Sequence, residues 1–239
     1  MDVKEAYLNG ILQEKVYMKQ PEGFGDGTEK VCLLQKTLYG LKQSGWEWNK
    51  ELDWRLKDIG FENLRSDPCA YIHQDGAIIR MITVWVDDLL LFASTTMVMK
   101  NLKKELESVF DLTDFGEPSK IVGIEISRMN ETLIILQGQY IDMILQKYNM
   151  QDANPVSMPL NTNTKLKHNK ENNEPNCSNN YVSLIVSLQY LVVTMCPDIA
   201  YSINCLAAYT ANPALEHYSA VKWLLRYLKG TQNLGITYK

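Results

Sequence analysis

Apolar residues recur at helical spacing at Trp48, Leu52, Leu56 and Ile59, which predicts a helix near residues 42–60 that Gly60 is placed to end. Val98, Leu102, Leu106 and Val109 predict a second amphipathic helix, started after Ser94-Thr95-Thr96. Between them, Cys69–His73 and Ile78–Val86 read as strands with Gly76 in their turn. Ile121–Ile126 and Leu133–Leu136 read as a β pair turned through Asn130-Glu131. Residues 1–36 read as a strand end, a short helix and two β segments around the Pro21–Gly27 loop. A helix, a hairpin and a second helix around a shared sheet come close to the split β-α-β pattern, an α+β fold.

The later chain reads differently. Tyr140–Met150 predicts a helix leading into Pro155 and Pro159. Residues 161–180 are asparagine-rich, with almost nothing large and apolar to bury, and are expected to be a flexible linker that protease cuts first. Three helices follow, near 181–193, 198–209 and 214–229, then a strand at Gly235–Tyr238. Lys222, Arg226 and Lys229 give the last helix a basic face, either simply solvated or able to track phosphates.

Composition narrows the class. The 239 residues are 46% hydrophobic and 22% charged, as in a globular protein of one or two domains. No apolar run reaches the roughly 20 residues that span a membrane, and Asp2, Lys4 and Glu5 break any signal peptide. The five cysteines form no Cys-x-x-Cys pair, which points away from zinc and disulfides and toward a reducing, intracellular setting. A net charge of −4 argues against a nucleic-acid partner, whose usual footprint is a basic stripe.

One feature runs against the hydrophobic pattern. Asp87-Asp88 interrupts the apolar run Ile82–Ala93. Removing a carboxylate from water is costly, and two adjacent ones repel. The expected resolution is a hairpin with both acids at its tip and a divalent cation between them, set against an ordinary acidic turn exposed to solvent. Asp-Asp is a poor former of tight hairpin turns, so its presence suggests a role for the side chains. Asp2 is a candidate third acid.

Several segments carry a resemblance. Asp2–Gly10 with Val16–Phe24, then Leu38-Tyr39-Gly40-Leu41-Lys42-Gln43, and Trp85-Val86-Asp87-Asp88 resemble, in order and spacing, polymerase motifs of copia-type retrotransposon reverse transcriptases. Gly123–Ile126, Cys196–Tyr201 and Tyr227–Thr231 resemble downstream landmarks of that family. The resemblance implies a polymerase palm, an antiparallel sheet with packed helices, over 1–136. It implies the start of a thumb or connection over 137–160, the linker over 161–180, and a helical connection region over 181–239. It also implies that fingers strands are missing ahead of Asp2 and that the chain stops where a ribonuclease H domain would begin.

The implied function is RNA-directed DNA polymerase activity on an RNA or DNA template-primer with deoxynucleotides, as part of a Pol polyprotein. Its setting would be the nucleus or a cytoplasmic virus-like particle. Asp2, Asp87 and Asp88 would be the catalytic, metal-holding acids for two Mg²⁺ or Mn²⁺ ions. Tyr7 would be the gate against a ribose 2′-hydroxyl. Tyr39, Gly40, Gln43 and Trp85 would border the nucleotide, and Gly123 would mark the strand supporting the primer end. Outside that context Tyr7 is a core aromatic, Gly40 a turn glycine and Gly123 a β-bulge.

Departures from the family favour a second reading. Trp85 stands where Tyr is usual, and Trp46, Cys196 and Trp223 stand where Arg is usual. The alternative is a catalytically inactive, decayed remnant, at most a nucleic-acid-binding or structural protein. An unrelated metal-dependent nuclease would leave the other motifs unexplained.

Overall fold

A computed structural model describes residues 1–130, 132–161, 166–169 and 178–238, the side chains of 178 and 179 excepted. The chain forms two compact units, Met1–Glu117 and Pro118–Lys239.

The first unit opens with β1 (Asp2–Val3), a 3₁₀ turn (Ala6–Asn9), and the two-stranded β2 (Ile11–Lys19) and β3 (Val31–Lys36). Then come α1 (Ser44–Asp58), β4 (Glu62–Asn63), β5 (Ala70–Asp75), β6 (Ile78–Trp85), β7 (Asp88–Ala93), α2 (Thr96–Glu107) and β8 (Leu112–Thr113). The main sheet has the order β4-β5-β6-β7-β1-β8. β1 lies antiparallel to both β7 and β8. Taking β1, α1, β6, β7, α2 and β8 together, the chain order β-α-β-β-α-β and the spatial order β6-β7-β1-β8 are those of the split β-α-β fold.

Both helices form where periodicity placed them. Thr95 caps α2 by accepting from the Val98 N–H, and Gly60, at φ 89, follows α1 in the left-handed conformation a glycine accepts readily. Their apolar stripes (Trp48, Leu52 and Leu56; Leu102 and Leu106) pack with Val3, Tyr71, Ile82, Val84 and Leu89 into one core. Strand alternation then places Asp2, Trp85 and Asp88 on the opposite face.

The second unit carries β9 (Lys120–Ile121), β10 (Ile124–Met129), β11 (Thr132–Leu136), α3 (Gly138–Lys147), α4 (Ser178–Thr194), α5 (Ala200–Ala207), α6 (Leu215–Thr231) and β12 (Ile236–Tyr238). The sheet order is β12-β11-β10-β9. The helices share a core of Leu145, Tyr181, Leu188, Leu191, Leu206 and Leu224, each fully buried.

Three expectations need adjustment. The compact units divide at 117/118, so the expected boundary at 136 falls inside the second unit, whose β9, β10 and β11 pair with one another and with β12. Ile121–Ile126 is two strands, because Val122 (φ 46) and Gly123 (φ 78) turn the chain between Ile121 and Ile124. Gly123 therefore sits in a tight turn of the type that wants two positive φ values, and is neither a strand residue nor a bulge.

The linker expected over 161–180 is the third. Residues 162–165 and 170–177, like Glu131 of the expected Asn130-Glu131 turn, lie outside the described residues. The described part is docked: Leu166 packs on the helical core, Tyr209 donates to its carbonyl at 3.3 Å, and the Lys167 N–H donates to Glu216 at 3.2 Å. Leu166 is the one large apolar side chain in the stretch, and burying it anchors its polar neighbours. Residues 178–180 are already part of α4.

Candidate active site

Strand pairing sets two of the three acids against each other. Asp2 of β1 lies opposite Asp88 of β7. The flanking bonds run from the Val3 N–H to the Asp87 carbonyl, 2.9 Å, and from the Leu89 N–H to the Met1 carbonyl, 2.8 Å. Asp2 and Asp88 are therefore a non-hydrogen-bonded pair, the closer of the two antiparallel spacings, with Cα atoms about 4.5 Å apart and side chains on one face. Trp85 is also opposite Asp88, and Thr113 is also opposite Asp2. Trp85, Asp88, Asp2 and Thr113 form one transverse row on the face away from the helices.

Asp87 stands beside this row. β6 and β7 are joined by the two-residue loop Val86-Asp87, since Trp85 pairs with Asp88. Only Asp87 is in the tip; Asp88 already belongs to the strand. The expectation of two acids at the tip is corrected here: β1 supplies Asp88 with a pairing partner and so extends β7 back to it. Val86 has φ 59, a conformation that is a steric outlier for a β-branched residue. The buried indole of Trp48 donates to the Val86 carbonyl at 2.7 Å.

Electrostatics register the crowding of like charge. The Asp2 carboxyl is pushed above its usual value, by desolvation first and then by the Asp87 and Asp88 charges. Such a group of carboxylates favours a hard cation with oxygen ligands, such as Mg²⁺ or Mn²⁺. Among the described residues no three His, Cys, Asp or Glu side chains are gathered closely enough to hold an ion as they stand. The acids fit a hard cation in donor type, and the Met1 α-ammonium beside Asp2 and Asp88 already offsets part of their charge.

The other predicted residues fall in two places. Tyr7, in the 3₁₀ turn after β1, meets Tyr39 ring to ring, with centroids 4.9 Å apart. Thr37 donates to the Tyr7 carbonyl, and at Gly45 a Cβ would stand 4.0 Å from the Tyr7 ring. Gly10 is tight: a Cβ there would stand 2.6 Å from Thr37 Oγ1 and 3.0 Å from the Trp48 backbone nitrogen. This close approach presses the Tyr7 turn onto the start of α1. Gly40 has φ 92 with open space around it, so its backbone, not crowding, calls for glycine. Gln43 is the residue before the first turn of α1. Trp85 is exposed at the end of β6. Gly123 belongs to the second unit, where the Tyr190 hydroxyl donates to the adjacent Val122 carbonyl at 2.8 Å.

Helical spacing marked Trp48 as a core residue but not as a donor to the acid loop. Thr113 and the left-handed Val86 carried no signal in the sequence.

The first unit is thus an α+β domain that carries acids on the open face of a split β-α-β sheet. The family described as reverse transcriptase (RNA-dependent DNA polymerase) matches residues 1–162, and the chain belongs to it. It is 37% identical over 97% of its length to a retrovirus-related Pol polyprotein from transposon TNT 1-94 of Nicotiana tabacum, covering 18% of that protein. It is 38% identical over its whole length to the Pol polyprotein from transposon RE1 of Arabidopsis thaliana, covering 16% of it. It is 31% identical over its whole length to a putative transposon Ty5-1 protein of Saccharomyces cerevisiae, covering 78% of that chain. The chain thus spans less than a fifth of the two plant polyproteins. No solved structure matches it. No helix among the described residues is long and apolar enough to cross a membrane.

Proposed function

We propose that this chain is the palm and the following helical region of a retrotransposon reverse transcriptase, adding deoxynucleotides to a primer paired with an RNA or DNA template. The carrying observation is the face-to-face pair Asp2–Asp88 beside the Asp87 loop, in a chain of the reverse transcriptase family. Asp2 and Asp87 are the main residues to hold divalent cations, with Asp88 as the third acid. Two bound cations would lower the pKa of the primer 3′-hydroxyl, neutralise the transferring phosphate and hold the departing pyrophosphate.

The chain's own residues supply the positioning. Tyr7, backed by Tyr39 and fixed through its carbonyl by Thr37, would close the pocket against a ribose 2′-hydroxyl. Gly40 and Gln43 would border the same nucleotide. Trp85 would meet the template-primer beside Asp88, offering one ring N–H donor. Gly123 would serve the primer end from its turn. The setting would be intracellular, in a cytoplasmic particle or the nucleus, with the rest of a Pol polyprotein as partner.

The second reading, a remnant whose acids persist by descent alone, is favoured by Trp46 and Trp85, which present exposed indoles where the resemblance calls for Arg and Tyr. Primer extension on a homopolymer template with magnesium separates the two. Extension that Asp87→Asn abolishes establishes the enzyme; no extension, even after Trp85→Tyr and Trp46→Arg, supports the remnant.

A further inference from the structure

The loop that carries Asp87 is held in a conformation its own residues disfavour. Val86 has a positive φ and Asp87 does not, the pattern of a two-residue hairpin turn that ordinarily puts glycine at the first position. A β-branched residue stays there only where its surroundings over-determine it. Two donors do so. The Val3 N–H binds the Asp87 carbonyl from β1, and Trp48 Nε1 binds the Val86 carbonyl from α1.

Trp48 is itself immobilised. It is 2% exposed, and Phe110 packs edge-on against it with ring centroids 5.7 Å apart. Arg55 lies over Phe110 at 5.5 Å, donates to the Val109 carbonyl at 2.9 Å and pairs with Glu51 at 2.6 Å. The indole N–H is thus a fixed point in the core from which one hydrogen bond reaches the loop.

We propose that Trp48 is a positioning residue for the acid site: its indole N–H holds Val86 in the left-handed conformation and so sets the direction in which the Asp87 carboxylate leaves the loop. Trp48 touches neither substrate nor metal in this role and acts only through Val86. The catalytic consequence rests on the function proposed above; the mechanical one does not. Without the donor, Val86 relaxes toward negative φ, the Val86–Asp87 peptide rotates, and Asp87 loses its alignment with Asp2 and Asp88. A glycine at 86 has no such preference and would keep the turn without help.

The test uses the whole chain with Trp48→Phe, which keeps an aromatic ring and removes the donor, Val86→Gly, and the two combined. Should Trp48→Phe fail to fold, incorporation of 3-benzothienylalanine at 48 keeps the bicyclic shape and still lacks the N–H. Hydrogen exchange of residues 82–92 is compared with that of residues 49–58, and Mn²⁺ alone is titrated by water-proton relaxation. Loss of the donor should speed exchange at the hairpin and weaken Mn²⁺ binding, each by up to about tenfold, the size of one hydrogen bond. Exchange within α1 should hardly change, and Val86→Gly should restore most of both losses. That rescue separates positioning from packing, because a glycine at 86 refills nothing around Trp48. Unchanged hairpin exchange, or losses that Val86→Gly leaves in place, overturns the proposal. Hairpin exchange that responds as expected in a protein that binds no Mn²⁺ upholds the brace and overturns the catalytic reading instead.

Discussion

The hydroxyl of Tyr190 in α4 donates to the carbonyl of Val122 at 2.8 Å, repeating in the second unit the contact that Trp48 makes with Val86 in the first. Each valine is the first residue of a two-residue hairpin turn and has positive φ. Each has its carbonyl taken by an aromatic donor mounted on a helix. A turn of unfavourable sequence is thereby fixed by the domain around it.

Tyr190→Phe should destabilise the protein by about 0.5–1.5 kcal/mol, the net value of one hydrogen bond. Gly123→Ala should cost at least about 1 kcal/mol, because an alanine is strained at φ 78. Its Cβ would meet only the Tyr190 hydroxyl, at 3.4 Å, so crowding adds little. Urea unfolding of the two variants and their combination measures both effects.

Asp2 should make stability fall as pH rises. Its pKa is higher in the folded chain than the ordinary 3.8, so ionisation favours unfolding. The penalty is absent below about pH 3.8, grows as pH rises through the folded value, and is fully present at neutrality. Asp2→Asn should therefore raise the melting temperature at pH 7 by about 1–2 °C, the scale of one like-charge pair, and by nothing near pH 3. Thermal melts of both proteins across that range check the sign.

Magnesium should stabilise the chain through the same acids. At 10 mM, ten times a Kd on the order of 1 mM, it should add about 1.4 kcal/mol, or roughly 3–5 °C in Tm. Chelation should reverse the gain, and Asp2→Asn with Asp88→Asn should abolish it. A shift that survives in the double variant would place the ion elsewhere.

Tyr7→Ala should admit ribonucleotides. With Tyr7 in the proposed role of gate, removing its ring would leave room for a 2′-hydroxyl, and the deoxy-over-ribo preference in kcat/KM should drop by about tenfold or more. Single-nucleotide incorporation measures it. An unchanged preference would make Tyr7 a packing partner of Tyr39 and nothing further.

Trp85→Tyr should raise primer extension relative to the unmodified chain, because a phenolic hydroxyl can both donate and accept where the indole only donates. Parallel extension assays at matched stability are the measurement. Trp223→Arg should not help: Trp223 is half-buried, its ring N–H binds the Met158 carbonyl at 2.9 Å, and Arg226 lies against its ring.

The elements and the acid pair are legible in the order of residues alone. Helical spacing at Trp48, Leu52 and Leu56 and at Leu102 and Leu106 marks the faces that meet in the core, because periodicity records which side of an element leaves water. Asp87-Asp88 was legible for the opposite reason, as charge where the pattern calls for apolar residues. Asp2 had no local signal and entered through family resemblance. Tertiary structure alone decided that β1 inserts between β7 and β8 and so sets Asp2 against Asp88, since strand pairing depends on which distant backbones compete best for one edge. It also decided that Val86 is left-handed, that Leu166 anchors part of an apparently polar linker, and that the units divide at 117/118. These features depend on donors and apolar surfaces contributed from far along the chain, which a local pattern does not record.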